Sequence, residues 1–477
     1  MARIFLASAP VSMQERYGAL APAGARLPSL GILSLAGSLR AAGHQAALAD
    51  PPAQAIYSAE TASRAAAFAP DAVGISAVTA TMGRAARLAR ALRHRLPGVF
   101  IVLGGPHASA LPEDTLAAIP EADCVVVGEG ERTMVELAGA LDAGRPLSQV
   151  PGLALRKNGG VHRTAPRAPI EDLDSLPPPA WDLLEGFPDK FRPAAFKHRR
   201  LPAAHIVTGR GCPHKCVFCD RTVFGNRIRL HSADYVLSLV RDLAGAFGVR
   251  EVAFEDDRFL ADPDRAADIC EKLIRAGRPV AWTALARADQ MQDPALLRLM
   301  REAGCWQVGM GVESGDPEVL AGTKKGVTLE QVRRAASLAR EAGLSIKGYF
   351  ILGLPGETME SLARTIRFAA NLPLSDASAF FLTPFPGTRI YAHAEKWGTM
   401  NRDFSRMNEL YPVFIPHGLT ERDLVNAARR FAARFYLRPR VVGGYAARVA
   451  GNPRLLPAVA SSFFGLARHV AGRGPGK

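Results

Sequence analysis

Over the first 145 positions, apolar residues fall in short continuous runs, separated by longer stretches in which they recur every three or four residues. The runs "ARIFLAS", "QAALAD", "AVGISAV", "VFIVLGG" and "CVVVGEG" predict strands. The stretches between them, such as "PSLGILSLAGSLRAAG" and "TMGRAARLARALRHRL", predict amphipathic helices. Continuous rather than alternating apolar runs suit a parallel sheet covered on both faces by crossover helices. Each strand ends in a loop of small residues. Ser76 to Thr81, including Thr79, is followed by Gly104-Gly105-Pro106-His107 and then by Gly128-Glu129-Gly130-Glu131. Ligands of open α/β sheets sit beyond the carboxyl ends of the strands, and glycines there let a flat or phosphate-bearing group approach the backbone. One such loop is an ordinary tight turn; three in register favour a cofactor.

A Pro-rich stretch, "IEDLDSLPPPAWDLLEGFP", then predicts a linker over 146–200. A second strand–helix series follows over 201–395, with strands in "AAHIVTGRG", "EVAFEDD", "VAWTALAR", "CWQVGMGVES", "SIKGYFILGLPGE" and "SAFFLTPFPGT". That repeat predicts a full or partial βα barrel, whose chemistry gathers at the C-terminal ends of its strands. The polar residues that stand out do fall at those ends: Glu255-Asp256-Asp257, Arg287, Glu313-Ser314 and the turn Gly353 to Glu357. Residues 396–477 predict a helical, basic region.

The first of these strand ends carries "GRGCPHKCVFCDRTVFG", with Cys212, Cys216 and Cys219 inside eight residues. Clustered thiolates suit zinc, copper(I) or an iron–sulfur cluster. A structural zinc site is normally closed by four ligands, and the other cysteines, Cys124, Cys270 and Cys305, are scattered in apolar segments. The loop therefore reads as a site with one position open. With His214 inside it, a zinc knuckle on nucleic acid is the bland alternative, but it leaves the other strand ends without a role. A chain of 477 residues implies two or three domains, and a mean hydropathy of +0.03 is ordinary for a globular protein. Few cysteines and no signal peptide or spanning stretch point to the reducing cytoplasm. The net charge of +14 suits nucleic acid, an anionic membrane surface or an anionic substrate without choosing among them.

The CxxxCxxC spacing with Phe218 before its last cysteine resembles the cluster loop of radical S-adenosylmethionine (SAM) enzymes. "FEDDRF", "ALAR", "GVESG", "GYFILGLPGET" and "LTPFPGT" are similar to strand-end motifs of the branch with an N-terminal cobalamin-binding domain. The resemblance spans roughly Met1 to Tyr391. It implies a Rossmann-like cobalamin-binding domain over 1–145, a partial TIM-type barrel over 201–395, and a helical C-terminal region. It also implies a [4Fe–4S] cluster on the three cysteines, whose fourth iron is left for SAM. Phe218 would wall the cluster, Asp256 or Asp257 would receive the SAM ammonium, and Glu313, beside Ser314, would take the ribose diol. Arg287 would bind the SAM carboxylate or the substrate. Ser76, Thr79, Gly104, Gly105, Gly128 and Glu129 would border cobalamin, and His107 its corrin edge or tail. Many cobalamin domains carry DxHxxG after the second strand to ligate cobalt. Here Asp50-Pro51-Pro52-Ala53-Gln54 stands there, so cobalt lacks that imidazole.

The implied activity is methylation of an unactivated carbon, or of phosphorus, in a small-molecule substrate. One SAM yields a 5′-deoxyadenosyl radical and a second remethylates cobalt, with a flavodoxin or ferredoxin as reductant and no nucleic-acid partner. The alternative is a cyclase or ring-rearranging enzyme with the same parts, similar to the anaerobic oxidative cyclase of chlorophyll synthesis. A tRNA methylthiolating enzyme would need three further N-terminal cysteines, where only Cys124 stands. Beyond Asp423 there is no acidic residue, while ten Lys or Arg interleave with Phe431, Phe435, Tyr436, Phe463 and Phe464. That region reads either as a helical cap with a basic tail or as a peripheral membrane contact, which "LLPAVASSFFGLA" would deepen.

Overall fold

Five parallel strands form the heart of the first sheet: β1 Arg3–Ser8, β2 Gln45–Ala49, β3 Ala72–Ser76, β4 Phe100–Gly104 and β5 Cys124–Val126, in the order β2-β1-β3-β4-β5. All five coincide with the apolar runs in the sequence. The computed structural model describes residues 1–477 apart from 19–20, 22–23, 158, 195–196, 452–455 and 457–477. Alternation along the strands explains why the runs are continuous. Phe5, Val73, Ile75, Ile101, Leu103 and Val125 pack into one core on one face. Ile4, Leu6, Val102, Cys124 and Val126 pack into another core on the opposite face. The strand order reverses between β1 and β3, so their carboxyl ends open a crevice at Ser76.

The stretch 146–200 is not only a linker. Within it β6 Leu153–Lys157 and β7 Gly160–Arg163 form an antiparallel hairpin on the edge of the first sheet. Arg156, Lys157, His162 and Arg163 break the apolar runs of this pair, so the apolar pattern alone does not mark its strands. The chain then crosses to a second sheet of six parallel strands: β8 Ala203–Ile206, β11 Glu251–Phe254, β12 Ala281–Ala286, β13 Cys305–Glu313, β14 Ser345–Leu352 and β15 Asp376–Phe381. Their spatial order follows the sequence, as in an opened βα barrel. Between β8 and β11, the short pair β9 Gly209–Arg210 and β10 Arg229–Leu230 pinches off the cysteine loop.

A last two-stranded pair, β16 Gly398–Met400 and β17 Phe414–Pro416, leads into the helix Glu421–Tyr436. Its Phe431 and Phe435 are buried, and the Phe431 ring lies 5.0 Å from that of Phe350 in the barrel. Tyr436 Oη donates to Asp376 Oδ1 at 2.9 Å. These three aromatics are therefore barrel cap, not membrane wedges. Phe463, Phe464 and, Leu456 apart, the stretch "LLPAVASSFFGLA" lie outside the described residues. Among the described residues, no helix is long and apolar enough to cross a membrane.

Candidate functional site

The carboxyl ends of both sheets open into one cavity of about 1090 Å³. That is at or above the upper end of the roughly 300–1,000 Å³ of ordinary small-molecule sites. The first sheet contributes Ser76, Gly104, Gly105 and Gly128, and the barrel contributes the cysteine loop and strand-end charges. Gly105 has φ +101°, and a Cβ there would stand 2.6 Å from the Ala77 carbonyl oxygen, so the turn admits only glycine without strain. Gly104 is the opposite case: a Cβ there would meet no atom within 4 Å. This bare shelf, walled by Leu6, Leu103, Val126 and Met134, fits a broad, flat, largely apolar group such as a corrin. Among the described residues, the histidines that reach the cavity, His214 and His231, both come from the segment that follows β8.

Across the cavity, Cys212, Cys216, Cys219 and Phe218 all line the wall. Gly211 makes the loop possible. Its φ is +85°, and a Cβ would stand 2.0 Å from the Arg227 carbonyl oxygen. Among the described residues, no three His, Cys, Asp or Glu side chains converge on a point suited to a single ion. The donor set is three soft ligands facing open space, which fits a wider iron–sulfur cluster with one iron left free. The hydrogen bond from Cys219 draws the Cys216 thiol down to about 7; burial opposes this, and Lys325 and Arg287 assist. The same bond, with burial, pushes Cys219 up.

Beside the loop, Glu313 sits at φ +64°, where β13 shifts register against β14. Such a conformation in a non-glycine residue costs on the order of 1–3 kcal/mol and marks functional sites. The Lys325 ammonium donates to Glu313 Oε1 and to the Gly311 carbonyl, and a Cβ at Gly311 would strike both side chains. Arg287 is held by Asp289 and donates to the Lys325 carbonyl oxygen at 2.7 Å. Its Nη1 carries no hydrogen bond to any described residue, and the side chain borders the cavity. Glu255 and Asp257 border it too.

Five residues expected at the site stand elsewhere or are otherwise engaged. Asp256 is buried beneath the cavity, where it accepts from Thr208 Oγ1 at 2.5 Å and from the Thr208 and Gly209 amides; burial pushes it up to about 6. The path of the chain beyond β11 decides this, since of the adjacent pair only Asp257 lines the cavity. Ser314 is fully buried and bonds Thr365 and the Asp316 amide. His107 and Thr79 are buried against one another, Nδ1 to Oγ1 at 3.2 Å, and the His107 ring packs 4.7 Å from that of Phe404. Burial pushes His107 down to about 4, so it stays neutral and structural. Glu129 reaches the wall, but Arg210 and Arg229 occupy both its oxygens. Lys325, Arg210 and Arg229 escaped the sequence reading, because a lone basic residue in a loop or a two-residue strand carries no periodic or spacing signal.

Residues 18–138 match the B12 binding domain and residues 206–369 the Radical SAM superfamily. The chain is 36% identical over 419 residues to an uncharacterized methyltransferase of Pyrococcus horikoshii, covering 87% of this chain and 89% of that one. It is 28% identical over 417 residues to the anaerobic magnesium-protoporphyrin IX monomethyl ester cyclase of Rubrivivax gelatinosus, covering 86% and 74%. Its fold matches that of the radical SAM methyltransferase TsrM of Kitasatospora setae, solved with cobalamin and a [4Fe–4S] cluster. The TM-score is 0.67 at 21% identity, over 83% of this chain and 75% of that one.

Proposed function

The chain belongs to the cobalamin-dependent radical SAM enzymes, and on that premise we propose that it methylates an unactivated carbon, or phosphorus, of a small molecule. One observation carries this: the glycine shelf of the first sheet and the three-cysteine loop of the barrel face the same cavity. When bound, the cluster and SAM supply a 5′-deoxyadenosyl radical and cobalamin supplies the methyl group. The chain's own residues hold and orient. Cys212, Cys216 and Cys219 would hold the cluster. Arg287, fixed by Asp289, turns its free Nη1 towards a carboxylate. Glu313, gripped through one oxygen by Lys325, presents the other to a diol. The apolar wall and Phe218 would pack against the bound groups.

Methyl transfer consumes two SAM molecules per product, one cleaved and one demethylated. Anaerobic reconstitution with iron, sulfide, cobalamin and methyl-labelled SAM, followed by mass analysis of cell-extract products, tests this. We expect 5′-deoxyadenosine and S-adenosylhomocysteine together, with label in the product. 5′-Deoxyadenosine alone, with unlabelled product, would transfer the assignment to cyclase-type chemistry.

The proposal includes a one-electron protein reductant of the flavodoxin or ferredoxin type, a cytoplasmic location and peripheral contact with an anionic membrane through the basic C-terminal tail. Each basic residue near such a surface contributes about 1 kcal/mol. Co-sedimentation with phosphatidylserine-containing vesicles, lost in pure phosphatidylcholine and lost on truncation after Gly451, is the expected result. Equal recovery from both vesicle types would remove the membrane from the proposal.

A further inference from the structure

Four charged side chains meet in the interior where the two sheets join. Glu129 caps and Glu131 opens the helix Gly130–Asp142; Arg210 ends β9 and Arg229 begins β10. Arg210 Nη1 donates to Glu129 Oε1 at 2.8 Å, and its Nη2 donates to Glu131 Oε1 at 2.6 Å. Arg229 Nη1 donates to Glu129 Oε2 at 2.6 Å and to the Ile170 carbonyl at 2.7 Å. The Ile170 amide and the Ser34 hydroxyl add bonds of 2.9 Å each to Glu129 and Glu131. The most exposed of the four side chains, Arg210, is only 11% accessible.

Two acids and two guanidinium groups balance in charge, yet a buried ion network is weak evidence for stability alone, because desolvation offsets most of its attraction. What it does supply is fixed geometry, since a guanidinium bonded at two nitrogens holds both distance and angle. The placement gives that geometry a use. Arg210 lies two residues before Cys212, and Arg210 and Arg229 pair across β9 and β10 at the neck of the loop that carries all three cysteines. Glu129 follows Gly128 directly, and Gly128 belongs to the first sheet's cavity wall. From one cofactor wall to the other, the path is one covalent step, one ion pair and two covalent steps.

We propose that Glu129, Glu131, Arg210 and Arg229 are positioning residues that set the separation between the cofactor on the first sheet and the cluster on the cysteine loop. This rests on the cobalamin and cluster reading above. Chemistry shared between two bound groups tolerates little slack: misplacement by about 1 Å costs on the order of 100-fold in rate.

The test measures that separation itself. The full chain, reconstituted with cluster and cob(II)alamin and reduced to give one unpaired spin on each, yields a spin–spin distance distribution by pulsed electron paramagnetic resonance. Wild type should give one narrow distribution. Glu131→Gln and Arg210→Lys should keep their iron and cobalamin, yet show a distribution shifted or about twofold wider, because each loses part of a two-point grip. Arg210→Lys retains the charge and one bond, and so serves if Glu131→Gln does not fold. Lowered melting temperatures with the wild-type distribution in both variants would make the network merely structural and overturn the proposal. A wild type that binds no cobalamin would overturn the cobalamin reading itself, and the proposal with it.

Discussion

Gly104 and Gly105 are neighbours with opposite tolerance for a side chain. Gly104→Leu should fold normally and fill the shelf, so bound cobalamin falls steeply while iron content and melting temperature stay at wild-type values. Gly105→Ala should instead cost about 1–3 kcal/mol of stability through its left-handed φ and the Ala77 carbonyl. Visible absorbance, iron analysis and thermal melting separate the two effects. Full cobalamin retention by Gly104→Leu would mean that the shelf carries another ligand. At the cysteines, replacing Cys212, Cys216 or Cys219 by Ala should abolish iron binding and 5′-deoxyadenosine production. Cys305→Ala, deep in the barrel core, should leave iron unchanged and cost about 1 kcal/mol, as for one buried methyl-sized group. The trio was legible in the sequence because its ligands come from one short loop. Asp256 and Asp257 stood as alternatives because nothing in adjacent carboxylates says which of them faces the cavity.

Among the elements, the turn after β14 holds a carboxyl in an unusual state. Glu357 is buried, accepts from the Gly353 amide and from Leu354 N at 3.2 Å, and leaves Oε1 without a partner among the described residues. Burial pushes it up to about 8 from an ordinary 4.5, against those two bonds. A carboxyl raised on folding contributes stability that is fully present below its unfolded value and is lost as pH rises through the folded one. The wild-type protein should therefore lose this contribution to its melting temperature between about pH 4.5 and pH 8. Glu357→Gln, neutral throughout, should remove that part of the loss, which amounts to a few kcal/mol at about 1.4 kcal/mol per pH unit. Identical pH profiles for the two proteins would show that the carboxyl is ionised and solvated at neutral pH. This turn stood out in the sequence as a strand-end motif; its carboxyl proves to brace its own loop rather than line the cavity.

Across the whole molecule, the helix Glu421–Tyr436 and the helix Pro439–Gly451 that follows it are both tied to the last barrel strand. Tyr436 and Tyr445 both donate to Asp376, which also pairs with Lys347 at 2.8 Å. Tyr436→Phe should destabilise the protein by about 1–3 kcal/mol, since Asp376 and the Ala377 carbonyl lose a buried donor. Cluster content should not change, and a melting temperature within error of wild type would show the cap to be dispensable. The sequence by itself determined what depends on neighbours along the chain: eleven parallel strands through their apolar runs, the glycine turns, and a three-thiol loop short enough to hold one cluster. Only the tertiary structure decided what depends on partners far apart. Glu129 meets Arg210 across 81 positions, which converts an expected cofactor contact into half of a domain joint. Phe431 and Phe435 close the barrel instead of facing lipid, because the helix that carries them packs against Phe350. The shared cavity itself belongs to neither sequence segment, since it exists only where two separately encoded sheets turn their carboxyl ends towards each other.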